Sequence, residues 1–512
     1  MRTRTAPVAA LLFGSGFCAL IYQTAWLREF RLIFGASTAA SSAVLAIFIG
    51  GLGVGGLLLG PRADRHQRPL LFYATLEAIV AVFAALSPFL ILVARSIYLA
   101  SGGSMRLGMI AATIERLILS VIVLAVPTIA MGGTLPAAAR AVTHAADVRR
   151  QDLAVLYAVN TLGAVAGCVL STFLLLEIYG TRATLWLAAG VNLLIVVVAR
   201  VIDRTATGSM DREPLWRASD RSVERLALHG SSAPDLPAQP DLPDLPVFLL
   251  IASGTVGFAF FLMELVWYRM LGPLLGGSVF TFGLVLAIAL AGIGLGGLMY
   301  ALMADDRRAT LSGFAVTCLV EASAVAFTFA LGDRLAVLAL AFVPLGAAGF
   351  GAAIAGWTIV ASIVVLPPAV VAGYQFPLLI ALFGEGREGV GRDVGLAYAA
   401  NTAGAILGSL AGGFGALPLL SAPGAWRLVA LVLVVLGLAA TQLAVRRDRP
   451  TLVVPQLALA AIALALLTAS GPSSVWRHSG IGAGRAPRDV FTAPNRLMAW
   501  QRSERRATGL GR

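Results

Sequence analysis

Apolar runs of about 20 residues recur from one end of this chain to the other, and each is long enough to cross a hydrocarbon core of ~30 Å. That pattern constrains the fold more than any single motif. Hydrophobic residues make up 58% of the 512 and charged residues only 12%, so a water-soluble globule of this size could not hide its apolar surface. Soluble enzyme, nucleic-acid binder and disordered scaffold are excluded together. The chain reads as an all-α polytopic membrane protein whose first partner is the lipid bilayer.

An internal repeat then organises the spans. At an offset of 241 residues, Trp26, Arg28, Gly35 and Ser37 recur as Trp267, Arg269, Gly276 and Ser278. Gly51, Gly53, Gly55 and Gly56 recur as Gly292, Gly294, Gly296 and Gly297, and Asp64 as Asp305. Pro127, Gly132 and Pro136 recur as Pro368, Gly373 and Pro377. Tyr157, Asn160, Thr161, Gly163 and Gly167 recur as Tyr398, Asn401, Thr402, Gly404 and Gly408. Duplicated halves are the signature of secondary-transporter folds. Spans fall near 8–34, 38–60, 70–94, 108–136, 153–177 and 182–202, with counterparts near 246–272, 279–303, 310–332, 354–381, 395–417 and 425–445. Six spans per half make the repeats parallel. Residues 451–470 form an additional helix and 335–352 a short or re-entrant segment, for 12–14 helices in all. The divisions are 1–202 (first repeat), 203–245 (cytoplasmic linker), 246–445 (second repeat), 451–470 (extra helix) and 471–512 (basic tail).

The formal charge of +12 is a topology signal, because all 38 basic residues are arginines placed between apolar runs. Arg2, Arg4, Arg62, Arg65, Arg68, Arg140, Arg149, Arg150, Arg307, Arg308, Arg387, Arg392, Arg446, Arg447 and Arg449 share one side. The positive-inside rule makes that side, and the N-terminus, cytoplasmic, as expected for a bacterial inner-membrane protein. One conflict arises. A thirteenth span leaves 471–512 outside, whereas its eight arginines favour inside. In the linker, Pro234, Pro237, Pro240, Pro243 and Pro246 have the three-residue period of polyproline II. Just before them, Arg217, Arg221 and Arg225 lie on one helical face, either solvated or resting on anionic lipid.

No cofactor and no metal site is indicated. Without lysine there is neither Schiff-base chemistry nor a Walker phosphate loop. Cys18, Cys168 and Cys318 lie far apart in apolar segments, and four histidines are scattered. The glycine clusters at 50–60 and 291–297 lie inside spans, where small residues four apart serve close helix packing. Gly60, Asp64, Arg65 and Arg68 match the loop between spans two and three of the major facilitator superfamily, with Gln67 where glycine is expected. There an aspartate and arginines form a breakable charge lock, so Asp64, Arg65, Arg68 and the second copy's Asp305 are gating candidates.

Intramembrane acids are functional candidates because an unpaired charge there is costly. Glu77 and Glu321 each sit in the third helix of their half, in similar surroundings. Facing each other across the halves, they could pair with a cationic or proton-coupled ligand. Alternatively each is protonated and bonded to a neighbouring helix, with Asn160 or Asn401 as partner. Glu264, whose first-copy position holds Gln23, is a third candidate. Asn160 and Asn401, with Tyr157 and Tyr398 beside them, are either interhelical glue or ligand donors.

The opening Ser15-Gly-Phe-Cys-Ala-Leu-Ile-Tyr22-Gln23-Thr-Ala-Trp26-Leu-Arg28, the glycine cluster and the doubled Tyr-x-x-Asn-Thr-x-Gly-Ala resemble the membrane domain of fused major-facilitator/spermidine-synthase proteins. Trp476 to Arg485 is similar to the junction leading into their synthase domain. The resemblance implies a transporter-like module handling polyamines or related small cations, or else a membrane anchor or remnant of an aminopropyltransferase. A separate aminopropyltransferase domain is an implied partner. Only 27 residues follow Arg485, too few for a domain of the usual ~50–250 residues, so no catalytic residues carry over and no aminopropyl transfer is expected from this chain.

Overall fold

The computed structural model describes residues 5–34, 38–143, 147, 150–210, 244–276, 279–303, 309–384, 389–447 and 452–472. Pro234, Pro237, Pro240, Pro243, Arg217, Arg221, Arg225, Asp305 and the tail from 473 lie outside the described residues. Pro246, expected to continue the polyproline II period, lies instead in the first turn of a helix that begins at Asp244. The first half is built from α1 (Thr5–Phe34), α2 (Thr38–Arg65), α3 (Pro69–Ala100), α4 (Gly103–Val142), α5 (Gln151–Leu170) and α6 (Gly180–Met210). The second contains α7 (Asp244–Leu271), α8 (Val279–Leu302), α9 (Leu311–Leu331), the short α10 (Arg334–Phe342), α11 (Phe350–Phe383), α12 (Val390–Ala411) and α13 (Leu417–Arg447). A final helix, α14 (Val453–Leu467), follows. The fold is all-α, and its long apolar helices have the length and composition of membrane spans.

The 241-residue offset is written into the backbone as well as the side chains. A π-helical turn at Ser171–Leu175 ends α5, and another at Gly412–Ala416 ends α12. Gly108 (φ 75°) kinks α4 near its start, and at the equivalent point Gly349 (φ 115°) stands immediately before α11. Gly180 (φ 70°) turns the chain into α6, and its counterpart Ser421 (φ 61°, ψ 169°) makes the same turn in a region that is nearly glycine-only. Holding serine there costs about 1–3 kcal/mol.

Glycine edges set how the helices meet. In α2, Gly51 and Gly55 face α4, where a Cβ on Gly55 would stand 2.0 Å from the Ile129 carbonyl oxygen. Gly53, Gly56 and Gly60 face α12 of the other half instead. α8 repeats the scheme: Gly296 meets α11, with 1.9 Å from its Cβ position to the Val370 oxygen, and Gly294 and Gly297 face α5. The two glycine edges therefore do different jobs, one within a half and one across the halves. Buried tryptophans fill equivalent places; Trp26 donates to Ser87 Oγ at 2.9 Å, and Trp267 is its 241-residue counterpart.

The third helix breaks the symmetry. α3 continues for 32 residues, whereas α9 stops at Gly332 (φ 53°). The Gly471 carbonyl oxygen lies 2.8 Å from where a Gly332 Cβ would be. The segment expected to be additional at 335–352 is mostly the displaced end of this helix. α10 and a 3-10 turn, Val343–Ala348, correspond by offset to the end of α3 and the start of α4.

Candidate functional site

A cavity of about 260 Å3 lies between the halves, walled by α1, α2, α4 and α5 on one side and α7, α8, α11 and α12 on the other. Eight of its polar wall residues form four pairs 241 apart: Gln23 with Glu264, Tyr157 with Tyr398, Asn160 with Asn401, and Thr161 with Thr402. Ser15 and Thr134 line it without a polar counterpart in the wall. The pairing follows from the packing. Parallel repeats related by an axis along the membrane normal bring equivalent positions to the same depth on opposite walls. The apolar wall is less symmetric, since Phe260, Phe261 and Phe376 stand opposite Ala19, Leu20 and Leu135.

Glu264 is the sole charged residue among the described residues of this wall. It is 7% exposed, and no described residue bonds to it. A buried carboxylate without a partner costs several kcal/mol unless it is neutralised or meets a cation. The other polar groups around the cavity are amides and hydroxyls. Asn401 Nδ2 is already committed, donating to the Ser253 carbonyl at 3.2 Å. Tyr157, Phe376 and Tyr398 form a ring cluster in the cavity wall, Phe376 lying 5.0 Å from Tyr157 and 6.1 Å from Tyr398 between centroids.

Glu77 and Glu321 do not line this cavity and do not face each other across the halves, contrary to the sequence expectation. The offset of 241 carries Glu77 to Cys318; Glu321 lies almost one helical turn further on. Similar neighbours in sequence therefore misled the register. Glu77 is 1% exposed and accepts hydrogen bonds from Ser15 Oγ at 2.5 Å and from Asn192 Nδ2. Asn192 Oδ1 in turn accepts from the Tyr22 hydroxyl at 3.2 Å, so α1, α3 and α6 are tied together inside the first half. Glu321, 3% exposed, accepts from Gln375 Nε2 at 2.8 Å within the second. The expected amide partners, Asn160 and Asn401, are replaced by Asn192 and Gln375. No symmetry argument could have found these two, because neither recurs at the offset.

At the arginine-rich end the halves are held by polar contacts. Asp64 accepts from the backbone N–H groups of Gly391 (2.9 Å) and Arg392 (2.8 Å), the first turn of α12, where the helix dipole favours an anion. Arg140 Nε approaches the same carboxylate at 3.8 Å. Arg150, fully buried, pairs with Asp393 Oδ2 at 2.7 Å and donates to the Ile380 carbonyl at 3.3 Å. Of the loop candidates, Arg65 is exposed, and Arg68 pairs with Asp203 inside the first half. The Arg150–Asp393 pair was not anticipated. Its one sequence signal was the recurrence of Asp152 as Asp393 at the repeat offset, where Asp152 receives the Thr5 hydroxyl at 3.2 Å instead.

With fold and cavity in hand, comparison with known proteins gives a family. No curated protein matches the chain. Among solved structures, it resembles a proton:xylose symporter, XylE, bound to 6-bromo-6-deoxy-D-glucose, at 14% identity and TM-score 0.49, covering 86% of this chain and 95% of that one. It also resembles the fucose:proton symporter FucP of E. coli at 13% identity and TM-score 0.47, covering 85% and 97%. A family profile described as Major Facilitator Superfamily matches residues 5–375. The chain belongs to the Major Facilitator Superfamily.

Proposed function

We propose that this protein is a secondary carrier for a small organic amine, with Glu264 as the counter-charge to one ammonium group. The observation that carries the reading is the carboxylate in the cavity wall with no partner among the described residues. A cation is the ligand that turns this costly group into a charge-assisted contact. One acid suits one ammonium, so diamines such as putrescine are held by one end, with Gln23 and Asn160 on the opposite wall for the remaining donors. Phe260, Phe261 and Phe376 line the same cavity, and an alkylammonium resting over one of their rings would gain ~0.5–2 kcal/mol of cation–π attraction. The resemblance to spermidine-synthase fusions supports the same ligand class. We place the arginine-rich face in the cytoplasm of a bacterial inner membrane on the positive-inside rule.

The test is thermal stabilisation of the purified protein by putrescine, spermidine and a monoamine of similar length. Wild type should be stabilised, Glu264→Gln should lose the response, and Glu77→Gln and Glu321→Gln should keep it. Absence of any amine response in wild type, or an unchanged response in Glu264→Gln, overturns the proposal. The anchor reading rests on the junction-like segment Trp476–Arg485. Co-purification of an aminopropyltransferase, with no amine response from the membrane protein, would favour it.

A further inference from the structure

We infer that α14 is a thirteenth membrane crossing, parallel to α9, and that it carries residue 471 to the face opposite the arginine-rich loops. The direction of α9 is fixed by its neighbours. α8 passes Thr172, at the far end of α5, with Gly283, and reaches Tyr157, near the start of α5, with Gly297. Its last turn therefore lies at the end that holds Arg150 and Asp64, and α9 starts there.

Three contacts then orient α14 along α9. Gln456, in its first turn, donates from Nε2 to the carbonyl and the hydroxyl of Ser312, both at 3.0 Å, at the start of α9. Further on, Ser323 Oγ donates to the Leu459 carbonyl at 3.3 Å. Finally, Gly471 packs against Gly332 and Phe329, where α9 ends. Early residues meet early residues and late meet late, which an antiparallel helix could not do. The far end is fastened by Arg427, whose guanidinium lies 4.7 Å from the Phe329 ring centroid and donates to the Ala469 carbonyl at 3.1 Å.

Length alone argues weakly for a crossing, since the 15 residues of α14 rise only about 22 Å. Yet its contacts reach both ends of the 21-residue α9, itself about 31 Å long. The charges near the helix agree. Arg446, Arg447 and Arg449 lie within seven residues before Val453, whereas Arg477 and Arg485 come ten and eighteen residues after Leu467. Within the ~15–20 residues on either side of a span that weigh on orientation, three arginines precede the helix and two follow it, a bias that favours this direction. Thr5, bonded to Asp152 at the arginine-rich end, and Gly471 thus lie on opposite faces.

Impermeant maleimide labelling of intact cells tests this. Cys18, Cys168 and Cys318 are buried, so the unmodified chain is the blank. Arg65→Cys and Ser470→Cys place thiols at exposed positions at the two ends. Expected is labelling of one in intact cells and of the other only after the membrane is opened. Both labelling from the same side overturns the inference. His66→Cys and Thr468→Cys, also exposed, repeat the comparison if either first variant fails to accumulate.

Discussion

The two halves share their packing almost atom for atom where helices touch, and diverge where side chains meet the cavity or the third helix. A Cβ on Gly163 would sit 2.0 Å from the Phe13 carbonyl oxygen, and one on its counterpart Gly404 would sit 1.7 Å from that of Gly254. By contrast, Gln23 faces Glu264, and the continuous α3 is matched by α9 and α10 broken at Gly332. Backbone contact within a half tolerates no change, so duplication preserved it. The cavity wall is freer, so the second copy could hold a charge and three phenylalanines that the first lacks.

The largest expected effect tests the shared part. Gly163→Leu and Gly404→Leu should both abolish accumulation of folded protein, because α1 would have to leave α5 and α7 leave α12. Gly190→Ala, with nothing within 4 Å of its Cβ position, should accumulate normally. If one half tolerates the leucine and the other does not, the equivalence of the seams is broken. Immunoblotting of membranes and size-exclusion profiles are sufficient readouts.

Next comes the junction between halves. Arg150→Ala leaves Asp393 without its buried partner and should cost about 3 kcal/mol, seen as a large drop in melting temperature. Arg68→Ala removes a partly exposed pair within one half and should cost less than about 1 kcal/mol. Equal losses would mean that burial of Arg150 between the halves contributes nothing special.

A third experiment addresses the wall. Glu264→Gln should weaken amine binding by roughly 10–100-fold, the range expected for a charge-assisted contact of ~1.5–3 kcal/mol. Adding Gln23→Glu to that variant moves the carboxylate to the opposite wall. Recovery of binding in the double variant would show that the repeat makes the two positions interchangeable; no recovery would show that the phenylalanine-rich wall fixes the ligand's orientation. The smallest effect concerns the backbone. Ser421→Gly should stabilise by about 0.5–1 kcal/mol by relieving a turn that Gly180 makes without strain, a rise of a few degrees or less in melting temperature. A decrease would mean that the Ser421 side chain contributes something the turn geometry does not.

Much of the site was legible before any fold was known. The matched Tyr157/Tyr398, Asn160/Asn401 and Gln23/Glu264 positions all line the cavity, because a parallel repeat must place equivalent residues at one depth. Glu77 and Glu321 were misjudged because the rule that intramembrane acids are functional says nothing about which way a helix faces. Each has found amide or hydroxyl donors inside its own half. Asp64 was singled out with its own loop's arginines in mind, yet its bonds run to backbone N–H groups 327 and 328 positions away, a distance no local motif encodes.

What the sequence determined by itself is the membrane class, the two parallel repeats and the glycine edges. These follow from hydrophobicity, spacing and side-chain size, which are local quantities read off one segment at a time. Tertiary structure alone decided which acid faces the cavity, which cation joins the halves, and which way α14 runs. Those depend on the rotation of each helix about its axis and on which neighbour it meets. In an apolar environment, where helix surfaces are chemically alike, rotation and neighbour choice are set by close packing and by a few buried hydrogen bonds between residues far apart in the chain.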